Sequence, residues 1–250
     1  PQGDICWAAD ESMLKDYAEY FEPYVSPEDE KMLDNYKNKS GVSAPAFCDP
    51  TVFIVNTDLA GDIEINGFED LLNPALKGKI AAGDPVNSSS AFQCLIAGLY
   101  GMGHGDPMSE DAWKWAEGFI ANLDGKLQDS SGNCHKLVAS GEYALGVTIE
   151  KSAVLYNDNP DIGYVYPEKN SAVPDGVALI KGCPNEENAK LFIDFVTSAE
   201  CQTAQNADWA RRPVRSDITP KGLCSLEDCH VGNYDFSYAA SHRDEIKEQF

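Results

Sequence analysis

The chain has 250 residues, 43% of them hydrophobic and 10% aromatic, enough to build a large core as one big domain or two small ones. Forty-one acidic residues against nineteen basic ones give a net charge of -22, which repels nucleic acid and anionic membrane and excludes binding to nucleic acid as the expected role. No window approaches the roughly 18 consecutive apolar residues of a membrane-spanning helix, and PQGDICW has neither the basic nor the apolar region of an export signal, so such a signal is expected to be removed or to lie upstream.

In chain order, DICWAA (residues 4–9) reads as a strand, SMLKDYAEYF (12–21) as a helix, and TVFIVNT (51–57) and KIAAG (79–83) as strands. GDPVNSSSAF (83–92) follows, with Ala91, Phe92, Leu95, Ile96 and Leu99 at helical spacing and a stop at Gly101. One serine suffices to cap that helix, so three in a row offer surplus hydroxyl donors beside the free backbone N–H groups of a helix start. SEDAWKWAEGFIANL (109–123) is an amphipathic helix with an acidic first turn. A second serine-bearing turn, Asp129-Ser130-Ser131-Gly132-Asn133, precedes a short helix and then a strand ending near Ile149. IGYVYP (162–167) and DGVALI (175–180) are further strands. PNEENAKLFIDFVTS (184–198) is a helix with Asn185 as cap and Leu191, Phe192, Phe195 and Val196 facing inward. Alternating strands and helices predict a mainly parallel α/β sheet, with ligands at the carboxyl ends of strands.

Other features carry less. The eight cysteines (6, 48, 94, 134, 183, 201, 224 and 229) have no readable pairing, and CSLEDCH lacks the second ligand pair a zinc site needs, so neither metal nor cofactor is expected. The histidines at 104, 135, 230 and 242 are dispersed, with His135 read as a surface residue. Neither a Gly-x-Ser-x-Gly elbow nor a phosphate loop of the Walker type is present, so no catalytic residue is assigned and an enzyme is not expected.

The run FEDLLNPALKGKIAAGDPVNSSSAF (68–92), then VASGEYALGV, GVALIKGCPNEENAKLFIDFVTSAECQ and RRPVR, resembles the extracellular solute-binding proteins of ABC importers. The likeness is closest to the subgroup for ferric iron, 2-aminoethylphosphonate or hexose phosphates. It implies a two-lobed type II periplasmic-binding-protein-like fold with mainly parallel sheets flanked by helices. It also implies that the first strand-helix-strand part of lobe 1 is lacking here, since relatives carry one ahead of PQGDICW. The lobes would be residues 1–50 with 172–215 for lobe 1, N-terminally truncated, and 51–171 for lobe 2. Residues 216–250 would form a tail packing across the lobes, with hinge strands near 49–52 and 172–175.

The iron-carrying relatives place two adjacent tyrosines where this chain has Glu150-Lys151-Ser152, so the resemblance favours a phosphorylated or phosphonylated solute. Ferric iron with a synergistic anion is the alternative, a phosphate-ester hydrolase ranks below it, and a polyamine-like cation also fits such lobes. Ser89, Ser90 and Ala91 match the family's first anchor, with Ser88 beside them; Ser131, with Ser130, falls on the second, so donors are expected from both sides of a cleft. Glu150 would accept from sugar hydroxyls or pair with an ammonium, Thr148 lies two residues before it on the same strand face, Asp84 adds a nearby acid, and Trp7 and Asp10 would wall the cleft. Arg211 and Arg212 are read as structural rather than as a phosphate clamp. The implied partners are a small anionic ligand and a membrane ABC permease. The protein is expected to be a monomer, extracellular or periplasmic, and compatible with anchoring through an upstream lipoprotein segment.

Overall fold

The structure, a computed structural model, describes every residue except Pro1, Ser130, Asn233 and Asp235, and describes the backbone alone at Ser12, Phe236, Ser237 and Ala240. In chain order its elements are β1 (Ile5–Asp10), α1 (Glu11–Asp16), β2 (Phe21–Glu22), β3 (Ala44–Asn56), α2 (Thr57–Ala60), β4 (Ile80–Gly83), α3 (Ser89–Met102) and α4 (Glu110–Leu123). They continue with β5 (Leu127–Gln128), α5 (Ser131–Ala139), β6 (Leu145–Ile149), α6 (Glu150–Ala153), β7 (Ile162–Val165) and β8 (Ala172–Ile180). Helices α7 (Glu186–Thr197), α8 (Ala199–Trp209), α9 (Phe236–Ser241) and α10 (Arg243–Gln249) complete the chain. Two compact units result: Pro1–Asp49 with Val173–Cys224 and Asp235–Ser241, and Pro50–Ala172 with Ser225–Tyr234 and His242–Phe250. No described helix is long and apolar enough to cross a membrane.

In the first unit β8 lies between β1 and the start of β3, and both β1 and β2 pair with β8 antiparallel, with Ile5 opposite Leu179 and Phe21 opposite Ile180. That second pairing cuts the first predicted helix short: Phe21, read as the end of a helix begun at residue 12, is drawn into the sheet instead. In the second unit the order is β7-β3-β6-β4-β5, antiparallel at β3 with β6 and β7 and parallel at β4 with β5 and β6. The sheets are therefore mixed rather than mainly parallel. Alternation fixes a parallel pair only where the helix is a crossover between neighbouring strands, and β1 and β8 are far apart in sequence.

The core of the first unit gathers Ala44, Val177, Leu179, Cys183, Ala189, Ile193 and Val196. Helix α7 is thus turned differently from its predicted orientation. Ala189, Ile193 and Val196 point inward, whereas Leu191 and Phe195 are 67% and 51% exposed and Phe192 is 37% exposed. Asn185 begins the helix without a side-chain cap bond, because its amide is held by the Asp4 carboxylate at 3.1 Å.

Two carboxylate and guanidinium clusters of this unit are tied down. The Asp194 carboxylate accepts from Ser26 Oγ at 2.6 Å and from the Tyr24 hydroxyl at 3.0 Å. Arg215, 4% exposed, reaches Glu28 at 2.5 Å, both Asp217 oxygens at 2.8 Å and the Thr197 carbonyl at 3.0 Å. Arg212, 1% exposed, donates to the Cys224 carbonyl at 2.7 Å, and Arg211 stacks its guanidinium 3.9 Å above the Phe47 ring while donating to Gln205. The contacts shown for Arg211 and Arg212 are thus to a ring, an amide and a carbonyl of the first unit itself.

The second unit packs Val52, Ile54, Val138, Ala153 and Ile162 together, with Tyr143, Tyr156, Tyr164 and Tyr166 against them. Helix α4 lies against α3, and the Trp115 indole donates to the Phe68 carbonyl at 2.8 Å.

Candidate anion-binding site

Three strands of the second unit, β5, β4 and β6, run parallel side by side, and each is followed by a helix: α5, α3 and α6. Their carboxyl ends therefore bring three helix starts to one edge of the sheet, the place where α/β proteins hold ligands.

The first start is built by local turn chemistry. After β4 the Asp84 carboxylate accepts from the Val86 N–H at 2.8 Å and the Asn87 side-chain amide at 2.6 Å, and the Asp84 N–H donates to the Gln128 carbonyl at the end of β5. Asp84 is thus engaged in shaping the turn. Ser88 is the N-cap of α3, its hydroxyl accepting from the Ala91 N–H at 3.3 Å. The N–H groups of Ser89 and Ser90, in the first turn, have no intrahelical acceptor.

The second start touches the first. Ser90 Oγ and Ser131 Oγ are 2.5 Å apart, and Ser88 Oγ lies 3.4 Å from Ser90 Oγ. A side chain at Gly83 would bring its Cβ to 3.2 Å from the Ser131 backbone nitrogen and 2.9 Å from the Ala91 Cβ, so the two helices approach over a residue that has none. Donors were expected from both sides of a cleft. Instead both serine turns belong to one unit and to each other, because they follow adjacent parallel strands. Ser130 lies outside the described residues.

At the third start, Glu150 is fully buried as the first residue of α6, and its carboxylate accepts from the Tyr166 hydroxyl at 2.5 Å. Thr148 is 1% exposed, and among the described residues its hydroxyl has no partner. Tyr166 was not anticipated from the sequence. The signal available is the alternation in YVYP, which sets Tyr166, just after β7, on the same side of the chain as Tyr164 within it, next to β3. The Cys229 thiol lies within 4.8 Å of the Glu150 carboxylate, so carboxylate, phenol and thiol are the groups this corner would offer a cation.

His135 is not a surface residue. It is buried on α5 with Nδ1 3.0 Å from the Tyr156 hydroxyl, and desolvation, assisted by the neighbouring Lys136 charge, lowers its pKa and favours the neutral ring. Cys134, one residue earlier, has its thiol pushed up to about 12 by burial and stays protonated.

Trp7 and Asp10 belong to the first unit. Trp7 meets Phe47 and Phe192 edge to face, each at 6.0 Å between centroids, and buried Asp10 caps α1 by accepting from the Met13 N–H at 2.8 Å.

The sequence model for the family described as "Bacterial extracellular solute-binding protein" matches residues 3–223. A putative 2-aminoethylphosphonate-binding periplasmic protein of Salmonella typhimurium is 28% identical over 214 residues, covering 76% of this chain and 59% of that protein. The chain thus spans about three fifths of the length of the curated relatives it matches first. Among solved structures, the periplasmic binding protein AfuA from Actinobacillus pleuropneumoniae, bound to fructose-6-phosphate, superposes with a TM-score of 0.86 at 23% identity, over 100% of this chain and 82% of that one. A ferric binding protein from Campylobacter jejuni gives 0.80 at 19% identity, over 99% and 83%. At these identities both likenesses show the fold.

Proposed function

The chain belongs to the bacterial extracellular solute-binding proteins, a family of carriers rather than enzymes, and from that premise we propose that it captures a small phosphorylated or phosphonylated solute outside the cytoplasm for delivery to an ABC importer. One observation carries the reading: two helix starts, each bearing a serine, meet at the carboxyl ends of β4 and β5 with Ser90 and Ser131 hydroxyls in contact.

A phosphoryl group presents several oxygens in a compact cluster and needs convergent donors. Helix N-termini supply backbone N–H groups and a favourable dipole. The Ser90 and Ser131 hydroxyls rotate from their mutual bond onto the ligand oxygens, exchanging one hydrogen bond for two, and a charged acceptor makes the new bonds the stronger ones. The acidic chain as a whole opposes an anion only weakly, since exposed charges are screened beyond about 8 Å in physiological salt. Buried Glu150, held by Tyr166, serves the other end of the solute by accepting from an ammonium or a sugar hydroxyl, and Thr148 adds a hydroxyl two residues away.

Calorimetric titration with 2-aminoethylphosphonate, fructose 6-phosphate and ferric citrate tests the reading. Binding of a phosphoryl or phosphonyl compound without release of inorganic phosphate is the expected result. Binding of ferric citrate alone would replace it with the second reading, ferric iron, which the Tyr166 phenol beside the Glu150 carboxylate favours because a hard cation takes such oxygens.

A further inference from the structure

Helix α10 packs against the turn that carries the first anchor. Its Ile246 is fully buried, and its Lys247 ammonium donates to the Val86 carbonyl at 3.0 Å and lies 5.8 Å from the ring centre of Phe92, in the first turn of α3. Val86 itself is 47% exposed, so this bond reaches a turn that stands out into solvent. Asp84 shapes the turn from within, and Lys247 ties it from a distant part of the chain. Phe250, one helical turn beyond Ile246, lines an apolar pocket with Gly83, Pro85, Ala91, Trp115 and Phe119. The free volume there is about 20 Å³, room for about one water and for no solute, so the pocket is a packing seat rather than a ligand site. Two of its walls set the anchor. Gly83 is the residue over which α3 and α5 approach, and the Ala91 N–H donates to the Ser88 cap. Phe250 thus backs the residues that bring Ser90 and Ser131 into contact.

We infer that Lys247 and Phe250 are positioning residues for the anion anchor: Lys247 fixes the turn through the Val86 carbonyl, and Phe250 fixes Gly83 and Ala91 by filling the space behind them. This rests on the phosphoryl-solute reading above. The gain is preorganisation: hydroxyl and N–H donors already held in place lose less freedom on binding, and a small displacement weakens every bond of a convergent set at once. Both residues act through the turn and the helix start, not by contact with the solute.

The test is calorimetric affinity for 2-aminoethylphosphonate and fructose 6-phosphate, measured on the full chain in about 1 M salt, where charges are screened beyond about 3 Å and loss of the Lys247 charge has little effect of its own. Phe250→Ala is expected to weaken whichever compound the parent protein binds about tenfold, and Lys247→Met, which keeps the apolar stem, about threefold. Phe250→Leu and Lys247→Arg are expected to recover most of the loss, since they refill the seat and restore the donor. A merely structural role would lower the midpoint of urea-induced unfolding and leave the affinity of the folded protein unchanged. That result in both variants overturns the inference and leaves the proposed function standing, and so do losses that the conservative variants fail to recover. Where Phe250→Ala does not fold, Lys247→Met decides, because it removes a single bond at an exposed turn. A parent protein that binds neither compound overturns the proposed function and the inference with it.

Discussion

Two sets of polar side chains, one in each unit, are engaged to different degrees. In the first unit Arg215 meets two carboxylates and a carbonyl and Asp194 accepts from two hydroxyls, although the buried Ser43 hydroxyl and the Asn206 side-chain nitrogen have no partner among the described residues. In the second, Ser90 and Ser131 have each other, and the Thr148 hydroxyl has no partner among the described residues. A buried donor whose bonds are all made contributes stability, whereas one left with capacity at a strand's carboxyl end is available to something arriving from solvent. The positive side chains that sequence reading would most readily assign to phosphate, those of RRPVR, are engaged within the first unit, and the uncharged serines are the candidates for recognition.

Breaking this contrast from the structural side has the largest expected effect. Arg215→Ala empties the space of a buried side chain and takes a donor from the Thr197 carbonyl, while solvent rehydrates Glu28 and Asp217; it is expected to cost about 3 kcal/mol in urea-induced unfolding while leaving solute affinity unchanged in the folded protein. Lost affinity at full stability would make it a binding residue. From the other side, Ser90→Asp sets a negative charge where the phosphoryl oxygens belong and is expected to lower affinity about a hundredfold or more at unchanged stability. Unaltered binding would remove Ser90 from the site.

Glu150→Gln sharpens the distinction between solute classes. It is expected to weaken an aminophosphonate about tenfold and a sugar phosphate less, because an ammonium loses its counter-charge whereas a hydroxyl keeps an acceptor. Equal losses would leave Glu150 without a role in discrimination.

The smallest effect concerns pH. His135 has its pKa depressed in the folded protein, so the unfolded chain binds the proton more readily. Stability contributed by the neutral ring is present above the ordinary histidine range near 6.5 and is lost as pH falls below it toward the folded value. Replacing His135 by Gln should flatten the loss of stability between about pH 7 and pH 5. An unchanged pH profile would show that another group is responsible.

How far the sequence reads ahead of the structure follows from how local each feature is. The strand end and helix start at Ser88 to Ala91 are legible because turn and cap chemistry operate within a few residues. The contact of Ser90 with Ser131, 41 residues apart, depends on β4 and β5 being neighbours, which composition does not encode. The orientation of helix α7 is not legible for a related reason: its apolar residues at 189, 191, 192, 193, 195 and 196 wrap more than half its circumference, so periodicity selects no single face, and packing on Val177 and Leu179 decides. The burial of His135 is not legible in the helix pattern, because its partner Tyr156 lies on another segment. The pairing of Tyr166 with Glu150 is not legible because the two lie on different segments, 16 residues apart.

The central claim, that paired serine-bearing helix starts bind a phosphoryl group, is most directly tested by following the backbone amide resonances of Ser89, Ser90 and Ser131 during titration with 2-aminoethylphosphonate, fructose 6-phosphate and inorganic phosphate. Saturable shifts at all three amides with at least one of these compounds, absent in Ser90→Asp, are predicted. Solute binding that leaves these three amides unmoved would contradict the account.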